Sequence, residues 1–314
     1  MNADFSLHIA LVLTVMLSAV LGGNNFSTCL GASLGAGITK LTNAIAIALA
    51  GILLGTILEG FKLSNVLSQR LLPGLSSSGL FAILVSSLMV MALVTALRVP
   101  ISLSQVMVGG VWGVGLATGV PVDGTYSVEV LASWMASPVV AYVASAIVER
   151  AVLQLGQNAR DVITLNRLYA SLTLIAGFYA AYTLGANTVG LLVGLFPKSV
   201  GDPLLLSLIL SLSAAAGVAF LSRGTVRSVA DNLVGLNPST ALSAQFGGAL
   251  SVHLFTQLGL PVSVSQVVIG GMSGAASVKR MVITNKRIVQ HILAGWTVGP
   301  IAGTVVSFLV LKAF

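Results

Sequence analysis

The sequence predicts an all-α, polytopic membrane protein built from two inverted-topology repeats, and three observations lead to this prediction. Of the 314 residues, 56% are hydrophobic and 7% are charged, whereas about a quarter of the residues in a soluble domain are charged. The apolar residues form long runs, which is typical of spanning helices rather than of barrel strands. A polar motif also occurs twice, and the loops that follow its two copies differ in charge.

Ten apolar stretches predict the helices, about five in each repeat, and we expect some to be broken helices or hairpins that meet at mid-membrane. The first stretch has no basic residue before it and no clear cleavage site, so we expect a retained helix rather than a signal peptide. The predicted spans are 5–22, 42–58, 79–98, 102–119, 129–149, 168–186, 203–221, 241–258, 263–278 and 288–311. The first repeat is predicted at 1–153, a cytoplasmic linker at 154–167 and the second repeat at 168–314.

The repeated motif is Pro-x-Ser-x-Ser-Gln, which begins at Pro100 and again at Pro261. Aligning Thr95–Gly115 with Thr256–Ala276 gives 10 identities in 21 positions. Serine is a favoured N-cap and proline suits the first turn, so each motif predicts a helix N-terminus that carries two hydroxyls and an amide. Unpaired N–H groups at the positive end of a helix dipole favour an anion. Capping alone would explain a single motif, but duplication within apolar sequence favours a binding site.

Two shorter matches extend the repeat over the rest of the chain. Leu131–Trp134 corresponds to Leu293–Trp296, and Gly22–Asn25 can be laid over Gly185–Thr188. With five spans in each copy, the second copy must enter the membrane in the opposite orientation.

The distribution of basic residues supports this inversion and predicts the orientation. Counting successive loops places eleven Lys and Arg on one side and four on the other, so the first side is predicted to be cytoplasmic and both termini outside the cell membrane. Residues 119–128 contain no Lys or Arg, whereas the equivalent 279–287 contain four. These short basic loops explain the net charge of +7 without a nucleic-acid partner. For the basic pairs Lys279-Arg280 and Lys286-Arg287, contact with anionic membrane lipid is an alternative to a role in orientation.

Inverted repeats with broken, polar-tipped helices are typical of secondary transporters. An enzyme is not expected, because the spans contain no His, Asp and Glu cluster for a metal or for acid–base chemistry. Cys29 is the only cysteine, so neither a disulfide nor a cysteine metal site is predicted, and no cofactor is expected. An anion channel on the same scaffold and a membrane sensor remain alternatives.

Two ionisable residues in or next to apolar spans are candidates for carrying a coupling proton. His253 lies in the eighth span, and an imidazole is a side chain that exchanges protons near neutral pH. Glu59 lies at the end of the second span. The alternatives are a histidine that is hydrogen-bonded between helices and a carboxylate at the membrane edge.

Several motifs together resemble those of the inorganic phosphate transporter (PiT) family. Gly22–Asn25 followed by Gly31–Gly37 is similar to the family's Gly-Ala-Asn-Asp signature, and the two serine motifs are similar to its Pro-Val-Ser-Thr-Thr-His. The resemblance covers nearly the whole chain and implies ion-coupled symport of phosphate, which is held between the repeats. The anion-binding residues that the serine motifs and the resemblance imply are Ser102, Ser104, Gln105, Ser263, Ser265 and Gln266.

The chain departs from this family at positions that concern the coupling ion. The aspartates that hold sodium in the family are replaced by Asn25 and Thr188, and a glutamate by Gln245. Because sodium sites without carboxylates are weakened, we expect a proton rather than sodium. The residues expected to bind the coupling ion or to complete an anion cage are Asn24, Asn25, Ser27, Asn187, Thr188 and Gln245.

Phosphate is the first choice of substrate, and sulfate is the alternative. Family relatives that look like sulfate permeases also lack the aspartates, and hydroxyls, amides and helix N-termini suit an anion that only accepts hydrogen bonds. The expected partners are thus an inorganic oxyanion and membrane lipid, and a homo-oligomer is compatible with the sequence.

Overall fold

The computed structural model describes residues 3–64, 66–97, 101–157, 161–196, 202–221, 237–280 and 286–313. All regular structure in these ranges is helical, which confirms the predicted all-α class. The ten main helices of these described ranges are α1 (Ala3–Gly35), α2 (Leu41–Glu59), α3 (Ser77–Ala96), α4 (Leu103–Thr118), α5 (Gly124–Gln157), α6 (Val162–Leu184), α7 (Pro203–Leu221), α8 (Pro238–Gln257), α9 (Val264–Val278) and α10 (Lys286–Ala313). Helix α6 continues through a π-helical turn, Gly185–Val189, into a last turn at Gly190–Val193.

Each predicted span corresponds to a helix, but α4 and α9 are too short to cross a membrane alone. They contain 16 and 15 residues, which at about 1.5 Å per residue rise roughly 24 and 22 Å, less than the roughly 30 Å of a hydrocarbon core. By length and hydropathy, seven helices among the described residues are able to span: α1, α2, α3, α5, α6, α7 and α10. The short helices instead form helical hairpins, α3–α4 (the first hairpin) and α8–α9 (the second hairpin).

The two hairpins enter from opposite ends of α5, and their tips meet. At the start of α5, the backbone N–H of Asp123 donates to Leu71 O at 2.9 Å, beside the base of the first hairpin. Far along α5, Glu149 contacts Lys279, which closes the base of the second hairpin, at 2.8 Å. Between these ends, Trp134 Nε1 donates to Pro261 O at the second tip, at 2.8 Å. This arrangement is the inverted topology that the loop charges predict.

The halves interlock, because the most extensive helix contacts between them occur in equivalent pairs. The fourth helix of each half packs against the fifth helix of the other, α4 on α10 and α9 on α5. Likewise, α1 packs on α7 and α6 packs on α2. The predicted repeat boundaries stay a prediction. Most of the predicted linker, 154–167, belongs to the end of α5 and the start of α6.

Glycines allow this close packing at equivalent positions of the short helices. A Cβ on Gly109 would lie 2.1 Å from Pro300 O, and a Cβ on Gly270 would lie 2.1 Å from Pro138 O. Small residues of this kind let helix backbones approach each other in membranes. The repeated glycines therefore set the distance between each hairpin and the long proline-containing helix beside it.

Candidate functional site

The two serine motifs form the same local structure at the starts of α4 and α9. Ser102 and Ser263 are the N-cap residues and have extended backbone conformations. Their hydroxyls pair with those of Ser104 and Ser265, at 2.9 and 3.1 Å between the Oγ atoms. Each tip therefore presents a pair of hydroxyls beside the first N–H groups of a helix, as the sequence motif predicts.

A hydrogen bond joins the two tips. Ser104 Oγ donates to Val262 O at 2.9 Å, and Val262 immediately precedes the N-cap of α9. The six residues of the two motifs are all buried, with at most 6% of any of them exposed. An α-helix N-terminus carries roughly half a positive charge, so the two tips together offer about one unit. This charge belongs to the backbone, since none of the six side chains is ionisable.

The glutamines of the motifs carry buried polar atoms that have no partner among the described residues. Neither Nε2 nor Oε1 of Gln105 is hydrogen-bonded, and Oε1 of Gln266 is also unpaired. Each unpaired buried group costs about 1–3 kcal/mol. A polar ligand between the tips would satisfy these groups, which makes the glutamines candidates for direct contact with it.

Two asparagines at equivalent positions hold the tips. Asn24 of α1 donates from Nδ2 to Ile101 O at 3.3 Å. Asn187, in the π-helical turn after α6, donates from Nδ2 to Thr256 Oγ1 at 2.9 Å and to Leu260 O at 3.4 Å. Bulges of this kind in helices often mark functional sites. Each asparagine thus connects its hairpin tip to the first long helix of the same half.

The first span was predicted to end at residue 22, and this boundary is wrong. Helix α1 continues through Gly22, Gly23, Asn24 and Asn25 to Gly35. The glycines serve packing rather than termination, because a Cβ on Gly22 would lie 1.9 Å from Ala214 O of α7. The equivalent Gly185 lies in the same way against α2, where its Cβ would be 2.2 Å from Ile52 O.

The other candidates for a coupling-ion site or anion cage are placed less uniformly. Asn25 and Thr188 are buried beside the two asparagines, and the side chain of Ser27 lies outside the described part of the chain. Gln245 donates from Nε2 to Cys29 O at 2.6 Å and accepts at Oε1 from Ser33 Oγ at 3.3 Å. Its described contacts tie α8 to α1 and are not to the serine pairs.

Gln245 also lines a cavity of about 30 Å³, together with residues of α1, α6, α8 and α9. That volume holds about two water molecules.

The sequence prediction missed a buried ion pair at the base of the second hairpin. Lys279 was assigned a role in orientation or lipid contact, but its Nζ lies 2.8 Å from Oε1 of Glu149, whose side chain is fully buried. Lys279 also donates to the side chains of Asn237, Ser239 and Thr240, at 3.0, 2.7 and 2.9 Å. The sequence feature that could have indicated this pair is the carboxylate of Glu149 at the end of the apolar span 129–149.

A model described as the phosphate transporter family matches residues 21–164 and again residues 154–307. The chain belongs to this family. The double match confirms the repeat, and it confirms the family that the glycine–asparagine and serine motifs resemble. A family of transporters is also consistent with a multi-pass membrane protein that is not an enzyme.

Relatives within this family carry the names of two substrates. The chain is 28% identical to a protein of Methanocaldococcus jannaschii named "Putative phosphate permease", over 98% of this chain and 97% of that protein. It is 23% identical to the sulfate permease CysP of Bacillus subtilis, over 97% of this chain and 87% of that protein. A solved structure titled "The sodium-dependent phosphate transporter" matches with a TM-score of 0.88 over 98% of both chains, at 19% identity. At that identity, the likeness shows the fold of the family.

Proposed function

We propose that the protein is a permease that takes up a tetrahedral inorganic oxyanion, with phosphate as first choice, by alternating access and in symport with a proton. The observation that carries this proposal is the junction of the two serine motifs, where Ser104 Oγ of one tip donates to Val262 O of the other. Membership of the phosphate transporter family supports an inorganic anion as the substrate.

The charge at the tips supports cation coupling. Two helix N-termini supply roughly one positive charge, which balances a singly charged phosphate and half of a doubly charged one. A second positive charge must therefore accompany a dianion into this buried site, because burying an uncompensated charge is costly. A co-transported cation provides that charge.

The unpaired acceptor at Asn187 favours phosphate over sulfate. Its Nδ2 donates to a backbone carbonyl, which fixes the orientation of the amide, and its Oδ1 is buried without a partner among the described residues. Phosphate near neutral pH carries a hydroxyl that donates a hydrogen bond, whereas sulfate carries none. Sulfate remains the second candidate, because the sulfate permease CysP matches 97% of this chain.

A proton is the preferred coupling ion because the candidate cage residues Asn24, Asn25, Asn187, Thr188 and Gln245 include no carboxylate. Sodium is the alternative, since amide and hydroxyl oxygens also bind hard cations and the structural neighbour is titled sodium-dependent. By the positive-inside rule, we place the protein in the cell membrane with both termini outside.

Transport by the purified protein in proteoliposomes tests this function. We expect labelled phosphate to accumulate against its gradient when a proton gradient is imposed, and excess unlabelled phosphate to compete better than sulfate. A hydrogen bond to a charged group contributes about 1.5–3 kcal/mol. Ser104→Ala and Ser265→Ala should therefore each raise the half-saturating concentration of phosphate roughly tenfold to a hundredfold.

Ser18→Ala is the matched control, because Ser18 Oγ is also buried and also donates to a carbonyl of the other half, Leu210 O, at 2.7 Å. It lies between α1 and α7, away from the tips, and should leave the half-saturating concentration unchanged. Normal uptake by both tip variants would refute the site. Large ohmic anion currents without accumulation would show a channel instead of a permease.

A further inference from the structure

Four polar residues form a cluster beside the tip of the second hairpin, which we name the outer cluster: Glu59, Lys62, His253 and Gln257. His253 Nε2 lies 3.6 Å from Oε2 of Glu59. Gln257 Nε2 donates to the same carboxylate oxygen at 2.7 Å and lies 2.8 Å from His253 Nε2. Lys62 Nζ donates to Gln257 Oε1 and lies 4.0 Å from Glu59. The outer cluster thus joins the end of α2 to the last two turns of α8.

Helix α6 completes the surroundings of the imidazole. The ring of Tyr182 stacks on His253 with 6.2 Å between centroids, and the ring of Tyr179 lies at 5.7 Å. The other charged pair near this tip, Arg70 with Glu129 at 3.9 Å, is about half exposed. Among the described residues, the charged group that contacts His253 is therefore Glu59, and Lys62 reaches the cluster through Gln257 and Glu59.

The outer cluster and the candidate anion site share the last turn of α8. Gln257, which contacts both His253 and Glu59, is adjacent to Thr256, the acceptor for Asn187 Nδ2. Asn187 also donates to Leu260 O, four residues after Thr256. The outer cluster and the contacts of Asn187 therefore lie next to each other along the same stretch of chain.

We propose that Glu59 and His253 form the binding site for the coupling proton, a role that rests on the proposed symport of an oxyanion. An imidazole exchanges protons in the physiological range, and the imidazole of His253 lies 3.6 Å from the carboxylate of Glu59. With His253 neutral, the charges of Glu59 and Lys62 cancel. With the proton bound, the cluster carries a net charge of +1 next to the tip, which favours the incoming anion.

Linkage makes this effect reciprocal, so a bound anion favours the proton by the same factor. Each coupled proton supports about tenfold accumulation per pH unit of gradient. A cluster that only fastened α8 to α2 would show no such dependence. Replacing His253 by glutamine distinguishes the two roles, because glutamine keeps a hydrogen-bonding side chain and cannot take up a proton.

The test measures two activities of the full-length protein in proteoliposomes with labelled phosphate: accumulation driven by an inward proton gradient, and exchange at equal pH on both sides. We expect His253→Gln and Glu59→Gln to retain exchange and to lose accumulation, a drop of about tenfold for a gradient of one pH unit. Glu129→Gln is the matched control, since it removes another carboxylate at the same end of the molecule, and it should accumulate phosphate like the parent protein.

Four results would overturn the inference. Variants that accumulate phosphate on a proton gradient as the parent does would refute it, and so would variants that lose exchange together with accumulation, since that loss would show a structural role. A parent protein that exchanges phosphate but accumulates it on a sodium gradient alone would refute the proton site and leave the permease standing. A parent protein that exchanges neither phosphate nor sulfate would refute the proposed function and the proton site with it.

Discussion

The buried ion pair at the base of the second hairpin predicts that removing its cation will destabilise the protein more than removing its carboxylate charge. Glu149 is fully buried, and its described partners are Lys279 at 2.8 Å and Ser239 at 3.3 Å. Lys279 is partly exposed and has three further oxygen acceptors, on Asn237, Ser239 and Thr240. Removing the cation therefore strands a buried charge, whereas removing the carboxylate charge leaves the cation solvated and hydrogen-bonded.

These contacts determine how much stability each variant should lose. Lys279→Met should lower stability by about 3–5 kcal/mol, the usual cost of leaving one member of a buried pair without its partner. At about 2.1 cal/mol/K per residue over 314 residues, this corresponds to a decrease in Tm of roughly 5–8 °C. Glu149→Gln should cost about 1–2 kcal/mol, since Lys279 keeps its other acceptors. The double variant Glu149→Leu, Lys279→Met replaces both charges by apolar groups and should recover most of the loss.

Thermal unfolding of the detergent-purified protein, followed by tryptophan fluorescence, measures the Tm of each variant and so ranks the losses of stability. Lys312→Met is the matched control, because Lys312 is exposed at the end of α10 and its removal should leave Tm within about 1 °C. Equal decreases for Lys279→Met and Glu149→Gln, or a double variant as unstable as Lys279→Met, would refute the conclusion that the stranded carboxylate is the dominant cost.

Three further substitutions test separate contacts. Gly109→Ala should lower Tm by several degrees, because its Cβ would lie 2.1 Å from Pro300 O, whereas Gly124→Ala has nothing within 4 Å and should not. Trp134→Phe should cost about 1–2 kcal/mol in the same assay, since it removes a 2.8 Å hydrogen bond to a carbonyl of the second tip. Asn25→Asp restores a carboxylate beside the tips and should make phosphate uptake in proteoliposomes respond to sodium; unchanged uptake over a sodium titration would contradict this.

The helices could be predicted from the sequence because their ends carry local signals. The predicted span 203–221 coincides with α7, and the serine motifs begin α4 and α9 within one residue of the predicted starts. Where the local signal was ambiguous, the prediction was wrong. The glycine pair at 22–23 resembles a helix end, but its function is to admit the backbone of α7, which only the packed structure shows.

The contacts between side chains could not be predicted from the sequence, because they join residues far apart in the chain. His253 and Glu59 were each weighed as a lone proton carrier, and their contact depends on the packing of α8 near α2 and α6. Gln245 was assigned to a coupling-ion site or anion cage, which stays a prediction, and its contact with the backbone of Cys29 could not be predicted. Periodicity and spacing identify which face of a helix is polar but not which neighbouring helix that face meets.

The repeat determines a symmetric backbone, but the charged contacts described above are asymmetric. The positions equivalent to Lys279 and Glu149 are Thr118 and Leu311, and the position equivalent to His253 is Ala92. The two helix N-termini attract an anion equally, because backbone dipoles do not depend on side chains. The second hairpin, in contrast, is held by an ion pair at its base and by the outer cluster near its tip. Moving the second hairpin must break or shift these contacts, so equivalent substitutions in the two hairpins should have unequal effects on stability and coupling.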